Sequence, residues 1–272
     1  MAEFPVEGLA LSCKPLGESD RLLTLLSDSH GLIRLAVPGA RRPKSSLAAA
    51  VPLAHLRLQV AGSRGLRRVR QLRLLRSYGS LGQQLETLAA AQALAEVCLA
   101  LVPADAPAPG MLADLLLQLG RLEDLVREQG AATEALAVAV QGTVHLLALG
   151  GYALPLGRCA GTGEPLQPPI GDWNWRSSFL PADGLVIGSR SDAHLVLNAS
   201  ELALLQRLVR PSLPRRRDGG LMGPPTVWLR LLELVGCWCD EHLGRRPRAF
   251  RLLGNGLAGL LESGAMDADA PP

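Results

Sequence analysis

Between residues 6 and 76, apolar and polar residues alternate in short runs, each closed by a turn signal. Leu56, Leu58 and Val60 take turns with His55, Arg57 and Gln59, and Ile33, Leu35 and Val37 alternate with Arg34. A period of two sends one set to an interior and the other to solvent or a ligand. Strands are thus predicted at residues 8–14, 21–27, 32–37, 55–60 and 66–75. Asp28-Ser29-His30-Gly31 predicts a hairpin turn in which Gly31 supplies positive φ. Five strands in about 70 residues suit a Greek-key barrel of the OB type.

From Ser80 the period lengthens. Leu81, Leu85, Leu88, Gln92, Ala95 and Leu99 step by three and four, which predicts a helix over 80–102 that buries Leu81, Leu85, Leu88 and Leu99 together. Pro103, Pro107 and Pro109 end it. Helices follow at 111–128 and 133–149, the latter with Thr133 as N-cap and Gly150-Gly151 as its stop. Residues 155–198 break the pattern with prolines, glycines, Trp173 and Trp175, as an inserted lobe would. Helical spacing returns at 199–210 and 226–242, around a loop holding Arg215-Arg216-Arg217. The expected organisation is α+β: a barrel domain at 1–79, a mostly helical domain at 80–254 with the lobe at 155–198, and a disordered tail at 255–272.

The net charge of +3 conceals a division. Residues 1–80 carry 13 Lys/Arg against five Asp/Glu, and the remainder carries 15 against 20, so only the barrel is polarised towards polyanions. Lys14 and Lys44 are the only lysines, a usage that fits a GC-rich genome, so arginine abundance decides nothing and its location decides more. Gly39-Ala40-Arg41-Arg42-Pro43-Lys44-Ser45-Ser46 has the composition of a loop that clamps phosphates, and also that of a solvated connection. Arg64, Arg67, Arg68, Arg70, Arg73 and Arg76 then crowd the last strand, too many for one solvent face. With only Phe4 and Tyr78 as aromatics before residue 80, there is almost no stacking platform, so binding would be electrostatic, sequence-independent and salt-sensitive.

Catalysis finds no foothold. No phosphate-binding glycine loop, nucleophile elbow or H-E-x-x-H motif is present, and the five histidines are scattered without an obvious partner. Cys237-x-Cys239 sits mid-helix, where a two-residue step separates the thiols, so packing is the expected role. Five cysteines without a disulfide framework fit a reducing cytoplasm. The N-terminus has acids where an export signal needs basic residues. The charge-free stretch 135–157 is interrupted by Gln141, Thr143, His145, Gly150, Gly151 and Pro155, which favours a buried helix over a membrane span.

Several segments resemble one family in order and spacing. They are Gly8-Leu9-Ala10-Leu11, then Leu16-Gly17-Glu18-Ser19-Asp20-Arg21-Leu22-Leu23-Thr24-Leu25, His30-Gly31 and Gly39 to Ser45. Leu146 to Pro155 running into Cys159, and His242-Leu243-Gly244-Arg245-Arg246-Pro247, extend the match. The chain resembles the bacterial RecO family of recombination mediators over nearly its whole length. The resemblance implies an OB barrel and a helical domain, and with no nucleophile, metal or cofactor cradle in the sequence no enzymatic activity or cofactor is expected. It implies binding of single- and double-stranded DNA, strand annealing, and work with the partner RecR to load recombinase onto strands coated by single-stranded DNA-binding protein. The expected place is the cytoplasm, associated with the nucleoid. DNA contacts in the family lie largely on the barrel, which assigns Arg34, Arg41, Arg42 and Lys44, and the charge pattern adds Arg67, Arg68 and Arg70. An RNA-binding OB module and a protein-interaction adaptor are the alternatives that residue chemistry leaves open. Many members carry two C-x-x-C pairs in the lobe. Here Cys159 aligns with one ligand, while Ile187 and Arg190 occupy the second pair's positions, so no zinc is expected and packing around Trp173, Trp175 and Phe179 must hold the lobe.

Overall fold

A computed structural model describes residues 3–268 and divides after Glu128 into two compact units. The first opens with β1 (Glu3–Leu16), β2 (Asp20–Ser27), β3 (Gly31–Val37), β4 (Ala54–Ala61) and β5 (Leu66–Ser77). They close into a barrel in the order β1-β2-β3-β5-β4, antiparallel except where β3 meets β5. This is the OB arrangement. The alternation predicted from sequence holds: Leu23, Leu25, Ile33, Leu35, Val37, Leu56, Leu58 and Val60 fill the interior. The first strand starts five residues earlier than its alternation suggests, because Glu3 to Leu9 pair with β4 while the remainder turns to β2. Gly8 sits at that crossing, where a Cβ would run into the Leu26 carbonyl. Gly8→Ala should therefore cost roughly 1–3 kcal/mol as an overpacked site, read as a lower urea midpoint at unchanged slope.

Two helices complete this unit. A 3-10 turn (Gly79–Gln83) precedes α1 (Leu85–Leu101), and α2 (Met111–Glu128) follows the proline-rich connection. The leucine stripe predicted for the first helix is not what packs. Leu81 is buried in the 3-10 turn, but Leu85 is 60% exposed, and the buried face consists of Ala89, Ala90, Ala91, Ala93, Leu94, Val97 and Cys98. Alanines let the helix approach closely, and the turn at its start rotates the leucines off the contact. The second helix buries Leu112, Leu115, Leu119, Leu122 and Leu125 as its spacing predicts. Both helices pack on β1, and α2 also packs on β2. Leu9 and Leu26, paired across those strands and outside the interior cluster, are fully buried there.

The turn between β2 and β3 is locked to the connection. Leu32 N–H donates to Pro103 O, Asp105 N–H to Leu32 O, Ala108 N–H to Asp28 O, and Leu112 N–H to the Asp28 carboxylate. Gly31 takes φ 62°, and a side chain there would strike the Pro103 and Ala106 carbonyls.

The second unit holds α3 (Ala132–Leu149), β6 (Arg176–Leu180), β7 (Gly184–Ile187), β8 (Leu195–Asn198), α4 (Ala199–Arg207), α5 (Pro225–Leu243) and α6 (Ala249–Ala268). The strands form a sheet in the order β7-β6-β8. Helix α3 alone among described helices is long and apolar enough to cross a membrane, yet it packs against α5 and is two-thirds buried. Its N-cap is Ala131 without a side-chain bond, not Thr133, while the glycine stop is as expected. The tail expected from residue 255 instead continues α6 to Ala268, because Phe250, Leu253 and Leu257 bury one face of that helix; residues 269–272 lie outside the described residues. The lobe is held by Phe179, fully buried and 6.3 Å from the Trp238 ring, whereas Trp173 is 87% exposed and Trp175 only half-buried.

Candidate nucleic-acid interface

Register sets the outer face of the barrel. A bulge at Leu11 shifts β1, so Ser12 and Lys14 point outward opposite Thr24 and Leu22. Thr24 and Leu22 in turn face Arg34 and Ala36, and these face Leu66 and Arg68. Two rows result, Lys14–Leu22–Ala36–Arg68 and Ser12–Thr24–Arg34–Leu66. Three cations thus lie exposed among small and apolar side chains, on strands that are not covered at this end. In OB barrels the β2–β3 face and the loops after β1 and β4 are the ligand side. Lys14 was not among the residues singled out from sequence. Its outward alternation with Ser12 was legible, but the bulge that aligns it with Arg68 was not.

The loop after β3 borders this face. It is fastened to the β1–β2 turn, since Gly39 N–H donates to Asp20 Oδ1 at 2.8 Å, Arg41 N–H to Ser19 O, and the Arg41 guanidinium to Gly17 O. Ala40, Leu47 and Ala50 plug the barrel interior, which leaves Arg41, Arg42 and Lys44 exposed above it. The Gly39 amide and Ser19 hydroxyl, with the charges of Arg68 and Arg42, hold the Asp20 carboxyl below its ordinary value. Arg68 and Arg42 therefore both act on one carboxylate, which joins strand and loop into a single basic patch. Lys44 stands at φ 58°, in the left-handed region.

Two of the arginines named from sequence behave differently. Arg67 alternates with buried Val69 and turns inward; it is 4% exposed, 2.5 Å from Asp105, bonded to Ser63 O and stacked 5.7 Å over Phe4. It is a packing residue of the barrel, withdrawn from any phosphate. Burial pushes the Asp105 carboxyl up, but Arg67, the Gly65 amide and the nearby Arg64 charge bring it below its ordinary value. Arg70 is the extra residue of a bulge opposite Gln59 and Val60, and leans on Glu3 at 3.5 Å. On that side of the barrel Arg57 pairs with Glu7 at 2.7 Å, and Arg76 with Glu123, leaving Arg73 exposed. The crowding on β5 thus resolves into one inward arginine, Arg70 and Arg76 paired with acids, Arg73 exposed on the other side, and Arg68 on the open face. Arg215 likewise pairs with Glu134, and Arg216 with Asp218.

The lobe's cysteine occupies a knuckle without its partners. Cys159 Sγ accepts the Ile187 N–H at 3.3 Å, so the two aligned ligand positions do meet, while Arg190 turns to Asp192. Burial raises the thiol, but the Thr162 hydroxyl and the amides of Ile187, Thr162 and Gly161 outweigh it and bring it to about 7. Among the described residues no cluster of metal donors includes Cys159, and one thiol with a hydroxyl and amides is not a zinc donor set.

An OB barrel whose open face gathers exposed cations around a single carboxylate, joined to helices, is the class of protein that the fold defines. Family profiles agree with both parts: one described as Recombination protein O N terminal matches residues 1–78, and one described as Recombination protein O C terminal matches residues 82–250. Proteins named DNA repair protein RecO are similar throughout. The one from Prochlorococcus marinus (strain MIT 9303) is 61% identical over 252 residues, covering 92% of this chain and 94% of its own. That of Synechococcus sp. (strain WH7803) is 61% identical over 249 residues, covering 91% and 92%. That of Trichodesmium erythraeum (strain IMS101) is 31% identical over 271 residues, covering 92% and 93%. The chain belongs to the RecO family.

Proposed function

We propose that the chain serves DNA repair as a non-enzymatic mediator that binds single- and double-stranded DNA through the open face of its barrel. In this reading it anneals complementary strands and, with a RecR-type partner, helps load recombinase onto strands coated by single-stranded DNA-binding protein. The site of action is the cytoplasm, at the nucleoid. The observation that carries the reading is the sorting of charge among the described residues. Lys14, Arg34, Arg68, Arg41, Arg42 and Lys44 converge around β2 and β3 with one carboxylate, Asp20, between Arg68 and Arg42, while elsewhere acids pair with Arg57, Arg70 and Arg76 and leave Arg73 exposed. Phe4 is stacked on His30 and Tyr78 is buried, so no ring on this face is offered to bases. Phosphate contacts then position the strand without reading it.

The test is annealing of complementary oligonucleotides, bare and coated with single-stranded DNA-binding protein. Acceleration in both cases is expected; no acceleration over the spontaneous rate in either sinks the reading, and preference for RNA of equal length would favour an RNA-binding role instead. Lys44 offers a cleaner variant. A non-glycine residue at positive φ costs roughly 1 kcal/mol, so Lys44→Gly should leave stability equal or higher. It should nevertheless weaken DNA binding and flatten the slope of log affinity against log salt by about 0.7.

A further inference from the structure

Helix α5 and the lobe share a group of side chains that DNA binding does not use. Glu233 and Cys237 are four residues apart on α5 and so lie on one face. His194, in the turn before β8, reaches that face with its backbone anchored to Phe179 O. His194 Nε2 lies 3.0 Å from Cys237 Sγ and 3.1 Å from Glu233 Oε1, and Cys237 Sγ lies 3.2 Å from Glu233 Oε1. An imidazole nitrogen, a thiol and a carboxylate oxygen converging on one point are the donors of a borderline-soft divalent metal, with a fourth position left for water.

We infer that His194, Glu233 and Cys237 form a transition-metal site, suited to zinc, that clasps the lobe to helix α5. It is separate from the knuckle at Cys159. A small opening of the three contacts admits an ion at bond lengths of about 2.0–2.3 Å. On binding, the Cys237 thiol gives its proton to solvent and its sulfur takes the metal. Arg246 does not compete for every donor. It packs over Gly236, where a Cβ would meet its guanidinium, and grips both oxygens of Glu233, leaving Oε1 shared towards the metal. A guanidinium on the carboxylate that ligates the ion is a supporting contact of the kind that orients metal ligands. The three residues are separated by 39 and four positions in the chain, which is why no spacing motif announces them.

The site is tested with cobalt(II) as probe on the full chain. The expected result is one cobalt per chain, with a thiolate-to-cobalt charge-transfer band and the intense visible bands of tetrahedral coordination. Cys237→Ser should abolish the charge-transfer band, His194→Gln should weaken binding at least tenfold, and Cys159→Ala should leave both unchanged. His194 is 41% exposed, so its variant is expected to fold, as circular dichroism would verify. Zinc should displace the cobalt and raise the unfolding midpoint of the wild type but not of Cys237→Ser. Absence of a charge-transfer band in folded wild type, its survival in Cys237→Ser, or its loss in Cys159→Ala would overturn the proposal.

Discussion

Neutralising Lys14, Arg34 and Arg68 together, each to glutamine, should weaken binding to every DNA sequence by a similar factor. It should also flatten the salt dependence by about two on a logarithmic slope, at roughly 0.7 for each phosphate no longer neutralised on a single strand. Exchanging Arg41, Arg42 and Lys44 should do the same, and the two sets should add because each phosphate releases its own counterions. Arg57, Arg73 and Arg76, on the opposite side of the barrel, provide the comparison. Glu7 and Glu123 already neutralise two of them. Their removal should move the slope little. Equal losses from the two sides would mean that the barrel attracts DNA by net charge alone and that the open face has no special standing. Circular dichroism should be unchanged throughout, since all six face residues are exposed.

The largest stability effect is expected at Asp105, not at its arginine. Asp105→Asn would leave the Arg67 guanidinium, 4% exposed, facing Phe4 and Ser63 O with no counter-charge. Stranding a buried charge costs about 3 kcal/mol or more, a fall of roughly 10 °C in midpoint for a unit of this size. Asparagine tolerates the left-handed backbone at this position, φ 56°, so the loss isolates the charge. Arg67→Met should cost less, because it strands only a carboxylate that is 31% exposed and can turn to water. Thermal denaturation that ranks the two variants the other way would show that the aspartate, not the arginine, is the buried partner. Linkage gives the same sign. The Asp105 carboxyl is held below its ordinary 3.8, so the pair's contribution is present above that value and is lost as pH falls through the depressed one.

How far the sequence could be read depended on the range over which each feature is determined. Period-two alternation at Leu56, Leu58 and Val60 is local, and it gave the barrel strands and their interior. The stripe Leu81, Leu85, Leu88 and Leu99 failed because a 3-10 turn offset the first helix, which the leucine spacing cannot reveal. At and just before β5, composition counted six basic residues as one cluster. Alternation with Val69 would have assigned Arg67 to the interior, but the bulges at Arg70 and Leu75 hide the register beyond it. Lys14 and Arg34 became neighbours of Arg68 only through pairing across four strands. His194, Glu233 and Cys237 were still less accessible, since their proximity depends on how a loop and a helix pack.

The four hydrogen bonds that fasten the β2–β3 turn to the connection between α1 and α2 have a consequence for recognition. They clamp the far end of β2 and β3, the two middle strands of the basic face, and the loop above is pinned at Asp20 and Ser19 at the near end. If DNA binds as proposed, the strand meets cations whose backbone positions are already fixed. Little ordering of the protein is deducted from the binding free energy, and the entropy of association falls mainly on the flexible polymer and on the arginine side chains. Under the proposed function the barrel would work as a stiff anvil on which a limp strand is straightened, a division of labour suited to presenting bases for pairing.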